Sequence, residues 1–177
     1  YAADRLGDPT PSMQGRLTLN PLKHLDPIGS FLLPLLTYNV GGFIFGWAKP
    51  VEFNPYNLKN PRSGEAIIAL AGPASNLLIA SLFGLLIRLS GTLGLGEEVI
   101  GLSVIVVIVN VSLAIFNLIP IPPLDGSKIL FALLPPQLIQ VRESIERFGL
   151  IIFVVFILLA GSILSPLVRL VAGFFIG

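Results

Sequence analysis

The chain has 177 residues, of which 54% are hydrophobic and only 12% charged, about half the charged fraction of a soluble domain. So few charges cannot cover a water-facing surface, so much of the exterior must face lipid; the net charge of +1 gives no reason to expect nucleic acid as a partner. There is no cysteine and one histidine, His24, which excludes disulfides, thiolate metal sites and a cysteine nucleophile.

The first residue is Tyr1, and no signal-like start precedes it. Tyr1–Gly7 reads as the last two turns of a helix, with Gly7 just past its end and Pro9 and Pro11 stopping it. This implies a helix whose front lies before residue 1. Residues 28–47 are long and uncharged but interrupted by Gly29, Pro34, Gly41, Gly42 and Gly46. The pattern predicts a short helix over Phe31–Val40, then irregular or extended chain. Non-helical backbone at membrane depth survives only where protein or water covers it, so a re-entrant element near residues 40–55 is expected rather than a clean span. Phe53–Pro61 is turn-rich.

A spanning helix needs about 20 predominantly apolar residues. Ala66–Leu89, uncharged before Arg88, and Val99–Ile119, uncharged throughout, both qualify. Phe148–Leu164 sits at the short end of the range. Pro166 is expected to break that run, leaving Leu167–Ile176 as a second short span or an interfacial helix. The fold class is therefore an all-α polytopic membrane protein, a transmembrane helix bundle in one domain over 1–177, with C-terminal membrane segments in 148–177. Glu97 and Glu98 mark the loop at 90–98, whereas Lys49, Lys59 and Arg62 precede the first span and Arg142 and Arg147 follow the second. By the positive-inside bias the loop lies outside, and the end of the second span near the cytoplasmic face.

The segment that carries chemistry is Phe116–Gly126. Pro120, Pro122 and Pro123 forbid a continued helix, and Asp125 follows beside Gly126. A carboxylate flanked by membrane segments needs a cation, a metal or water; Lys128 is a local candidate. Taken alone, Asp125 could equally cap the next helix.

Asn117, Pro120, Pro122, Leu124, Asp125 and Gly126 form N-x-x-P-x-P-x-L-D-G. This resembles the second signature of the site-2 protease family, intramembrane zinc metalloproteases of peptidase family M50. Arg5–Thr10, Gly15–Gly29, Gly46–Val51 with Asn54–Pro55, and Ala69–Asn76 resemble further stretches of that family in order. The match covers about the first 130 residues. The resemblance implies hydrolysis of peptide bonds in or near transmembrane segments, with one catalytic Zn²⁺, a membrane protein as substrate and the lipid bilayer as setting. It also implies an integral, multi-pass location in the plasma membrane of a prokaryote, with the active site toward the cytoplasm.

In that family two histidines of an H-E-x-x-H motif bind zinc from one helix face and the glutamate is general base. By resemblance Asp125 is the third ligand. Asn117 would contact substrate or the developing oxyanion, or else bond between helices. Pro120, Pro122 and Gly126 shape the same loop. His24 falls beside the site, orienting a ligand or contacting substrate, or else bonds Asp26 or backbone. Trp47, Ala48, Lys49, Pro50 and Val51 are the candidate strand edge for an unwound substrate; the alternative is a Trp–Lys anchor at the membrane interface. The chain departs from the family in lacking H-E-x-x-H, whose place is directly before Tyr1, so this polypeptide alone is expected to be inactive. A non-catalytic homologue that binds membrane substrates is the first alternative. The second is a small transporter with Asn76, Asn110 and Asp125 along a polar path.

Overall fold

The computed structural model describes residues 1–18, 20–41, 49 and 51–177. Its regular structure is helical throughout, with no strand among the described residues. The chain divides into two compact units, Tyr1–Gly64 and Glu65–Gly177.

In the first unit, α1 (Ala2–Arg5) ends at Leu6, and Gly7 follows at φ 107°. That left-handed conformation costs glycine nothing, which explains its place past the helix end. α1 ends before Pro9 and Pro11, as expected, and the two prolines then open a separate helix: Pro9 precedes α2 (Thr10–Met13), and Pro11 sits in its first turn, where its missing N–H has no helical partner to lose. A π-type turn, Ile28–Leu32, leads into α3 (Leu33–Gly41), within one or two residues of the sequence expectation. Asp26 starts this element. Its Oδ1 accepts from the N–H groups of Ile28 (2.9 Å) and Gly29 (2.8 Å), and its own N–H donates to Ser30 Oγ. These bonds satisfy donors that a helix start otherwise leaves orphaned.

The long helices follow. α4 (Pro61–Arg88) begins five residues before the apolar run and continues through Pro73. A short turn of helix, α5 (Ser90–Leu93), and Gly94 at φ 64° reverse the chain into α6 (Glu97–Asn117). Both α4 and α6 are long and apolar enough to cross a bilayer. The 21 residues of α6 span about 32 Å, close to the hydrocarbon thickness of roughly 30 Å. Their side chains are largely turned outward, Leu102, Ile105, Ile108 and Val109 among them, the inverse of a soluble core helix. Together these features define a helical membrane protein.

α7 (Asp125–Leu133) and α8 (Ile139–Ile176) complete the second unit. Pro166 lies inside α8, which does not break there as the sequence suggested. Proline is tolerated in a membrane helix because its neighbours re-satisfy the freed backbone groups. The packed core joins Ala80 of α4, Val107 and Val111 of α6 and Ala172 of α8. Small residues set these approaches: a Cβ on Gly84 would lie 2.7 Å from the carbonyl oxygen of Phe175. Close backbone approach over small side chains is the usual basis of helix association in lipid.

Candidate metal centre

The segment after α6 folds back through a chain of tight turns. Ile119 N–H donates to Phe116 O (3.2 Å), Ile121 N–H to Ile119 O (2.8 Å) and Leu124 N–H to Ile121 O (2.9 Å). The prolines supply no competing N–H, and the Pro122–Pro123 bond is cis. Leu124 is buried and extended at the start of α7. Ser127 closes the turn, with both its N–H and its hydroxyl on Leu124 O.

Gly126 and Pro122 of the signature have packing tasks here. A Cβ on Gly126 would collide with the carbonyl oxygens of Leu118 and Ile119, so only glycine lets the start of α7 lie on the end of α6. Pro122 packs on Gly149 of α8, where a Cβ would come within 2.6 Å of its ring. Pro120 is exposed.

Asp125 is the first residue of α7, not its cap; Leu124 holds the cap position. Its side chain is 34% exposed, and Oδ1 lies 3.5 Å from Lys128 Nζ, too long for a strong charge-assisted bond. Oδ2 faces α4, 3.6 Å from where a Cβ on Gly72 would stand. A half-buried carboxylate flanked by membrane segments needs a cation or water beside it, and the one side of Oδ2 that faces α4 meets a residue without a side chain, Gly72. Gly72 is the residue at this site that the motif does not contain; it belongs to the Ala69–Asn76 stretch, which the sequence marked without giving it a place beside Asp125.

Asn117 stands at the end of α6. Its Nδ2 donates to Leu113 O at 3.0 Å, within its own helix. An amide nitrogen carries two hydrogens, so one is left for another acceptor. Asn110 likewise bonds Val106 O of its own helix (2.9 Å) rather than bridging to a neighbour.

The remaining predicted residues belong to the first unit. His24 Nε2 lies 3.0 Å from Thr18 O, the backbone-bonded alternative read from the sequence. The His24 carbonyl accepts the Lys49 N–H at 2.9 Å, which ties the segment leading to Val51 to the His24 loop. Val51–Asn54 is without regular structure. Trp47, Ala48 and Pro50 fall outside the described residues. Lys49 and Glu52 line a polar cavity of 490 Å³ with Gln14, Arg16 and Asp26.

Asp8 lies within the Arg5–Thr10 stretch, where nothing local in the sequence singles it out. It is fully buried. Oδ1 accepts from Thr10 Oγ1 (2.6 Å), Thr10 N (3.2 Å) and Asn57 Nδ2 (2.8 Å), and Oδ2 from Asn54 N (2.7 Å). Burial by itself raises this carboxyl, but the bonds from Thr10, Asn57 and Asn54 outweigh it and hold the pKa at about 2, below the ordinary 3.8. Asp8 thereby locks the exit of α1 onto the turn at 54–57.

A catalytic zinc site takes three protein ligands and keeps one position open. Asp125 fits one such position. Among the described residues no three histidine, aspartate or glutamate side chains gather to hold an ion, and His24 is engaged with Thr18. The described residues thus do not assemble a complete ligand set around Asp125.

Helices of membrane-spanning length, with a signature aspartate in a proline-rich loop at the end of one of them, define a membrane protein of the metallopeptidase type. The chain belongs to peptidase family M50: residues 94–160 match that family. It is 40% identical over 162 residues to YwhC of Bacillus subtilis (strain 168), a protein named for a proposed zinc metalloprotease activity, over 88% of this chain and 70% of that protein. Rip2 of Mycolicibacterium smegmatis, named in the same way, is 32% identical over 161 residues, covering 89% of this chain and 60% of Rip2. Rip2 of Mycobacterium tuberculosis (strain H37Rv) is 29% identical over 163 residues, covering 89% of this chain and 60% of its own length. No solved structure matches the chain.

Proposed function

We propose that this chain carries one metal ligand, Asp125, and the surrounding scaffold of an intramembrane zinc protease of the site-2 type. The observation behind this reading is the placement of Asp125. It opens α7 beside the end of a membrane-spanning helix, is paired only loosely with Lys128, and turns its second oxygen toward Gly72 of α4. When bound, zinc polarises a scissile carbonyl and lowers the pKa of its water toward about 7.

The chain's own residues have defined parts. Asp125 holds the ion, and Lys128 limits the excess negative charge while the ion is away. The second Nδ2 hydrogen of Asn117 is available to a substrate carbonyl. The prolines at 120, 122 and 123 cannot donate to the carbonyls four residues before them, so the helix ends and the loop turns back toward α7. The described residues bring no further ligand or general base to Asp125, so the chain alone is expected to show no cleavage. The substrate is a membrane protein, cut in or near a membrane segment, and the site faces the cytoplasmic side.

The test uses both this chain and the complete product of its reading frame, reconstituted in bilayers with a membrane-anchored reporter. Chelator-sensitive cleavage by the complete product, and none by the chain, is the expected result. Asp125→Ala in the complete product should abolish cleavage and lower zinc retention by more than the roughly 10–100-fold that loss of an outer-shell partner costs. Full activity in that variant, or zinc-independent solute uptake without cleavage, would overturn the reading.

A further inference from the structure

Arg88 at the end of α4 and Arg169 in the C-terminal part of α8 stand among apolar residues, and they are treated differently. Arg88, at the end of α4, donates from Nη2 to the carbonyl oxygen of Phe174 near the end of α8. A cation on the last carbonyls of a helix is well placed. Arg169 has no such use. It is exposed, and its Nε makes one long bond, 3.3 Å, to Ser165 O one turn back on its own helix. Among the described residues the carboxylate ion pairs are those of Lys128 and Arg142; none reaches Arg169. A guanidinium has five donors and does not lose its charge, so in lipid it demands an anion or water.

Beside Arg169 is an open apolar groove of 630 Å³ between α6 and α8. Leu113 and Phe116 form one wall; Leu164, Ser165 and Val168 form the other. Its volume is that of a typical small-ligand site, about 300–1,000 Å³. Side chains on a helix lean toward its N-terminus, and the bond from Nε back to Ser165 shows that Arg169 does so. The groove lies along the last turns of α6, within about 8 Å of its Asn117 end at 1.5 Å per residue. An arginine stem covers that distance and brings the charged head to headgroup depth.

We propose that this groove binds an anionic phospholipid, with one acyl chain between α6 and α8 and the phosphate on the guanidinium of Arg169. Charge selects the occupant: apolar walls alone accept any acyl chain, whereas an unspent guanidinium at the groove's mouth favours a lipid of net negative charge. A planar fork that engages two phosphate oxygens distinguishes arginine from lysine here.

The full chain is reconstituted with equal amounts of phosphatidylglycerol and phosphatidylcholine, and retained lipid is measured by native mass spectrometry. Wild type should retain one phosphatidylglycerol with a preference of about tenfold or more over phosphatidylcholine. Arg169→Gln should reduce that preference to less than about threefold, Arg169→Lys should keep part of it, and Arg88→Gln should leave it intact. Leu164→Trp, which fills the groove, should lower retention of both lipids. Unchanged selectivity in Arg169→Gln, or equal loss in Arg88→Gln, would overturn the proposal. So would capture of an acidic transmembrane peptide at Arg169 in place of lipid. None of these readings depends on zinc or on proteolysis.

Discussion

Asp8 shows how much one side chain can organise. Four hydrogen bonds converge on its carboxylate from Thr10, Asn54 and Asn57. The folded pKa, about 2, lies below the ordinary 3.8. The stabilisation is therefore fully present above pH 3.8 and is lost as pH falls through 2. Amide exchange at Asn54 reports it directly: protection should be flat from neutral pH down to about 4 and fall between about 4 and 2. Asp8→Ala should orphan the Asn54 N–H and cost at least about 1–3 kcal/mol of local stability. Asp8→Asn keeps the shape but sets an amide against that N–H, so it should also lose protection, and the remaining protection should no longer vary between about pH 4 and 2. At Asp125 the logic is reversed. A single long contact to Lys128 leaves that carboxylate free to take the ligand role proposed for it, whereas Asp8 is fully committed within the fold.

At the level of elements, the proline loop between α6 and α7 owes its form to two glycines as much as to its prolines. Gly126 admits the carbonyls of Leu118 and Ile119, and Gly149 admits Pro122. Gly126→Ala places a methyl group against backbone oxygens that have no room to yield. It should cost roughly 1–3 kcal/mol, the usual penalty of overpacking, and displace the start of α7. Thermal unfolding in detergent checks the first effect, and zinc retention by the complete reading-frame product checks the second. The membrane helices follow the same principle, with Ala80, Val107, Val111 and Ala172 at their meeting surface. Pro73 and Pro166 are carried inside α4 and α8. Each removes one N–H from the ladder, yet the surrounding residues are apolar and helical on both sides, and a lipid-facing chain has no water to take up freed carbonyls, so helix remains the cheapest way to satisfy the rest.

At the scale of the molecule, the chain comprises a compact loop-rich unit, Tyr1–Gly64, and a helical unit, Glu65–Gly177. The absence of cysteine makes its topology directly measurable with single introduced cysteines. If α6 crosses the bilayer once, a thiol at Gly96 and a thiol at Pro120 should be labelled by an impermeant reagent from opposite faces. If the charge bias of the loops sets the orientation, Gly96 is the outer one. Labelling of both from one side would mean that α6 does not span.

Run length, hydropathy and proline spacing are properties of contiguous residues. For that reason the sequence by itself determined the helical membrane class, the approximate positions of α4 and α6, a short helix expected over Phe31–Val40 and found at Leu33–Gly41, and the singular character of Asn117–Gly126. Helix ends were less legible. α4 starts before its apolar run, with Pro61 at its first position and Asn60 Oδ1 accepting from Ser63 N, and α8 continues through Pro166 because backbone satisfaction in lipid outweighs local propensity. What only the tertiary structure decided are meetings between distant residues. Asp8 reaches Asn54 and Asn57 across 46 and 49 positions, Gly72 stands beside Asp125, Gly149 receives Pro122, and Arg169 is left without a carboxylate. A motif names which residues carry chemistry; only packing decides what each of them touches, since a contact depends on where two backbones are brought together and not on either neighbourhood alone.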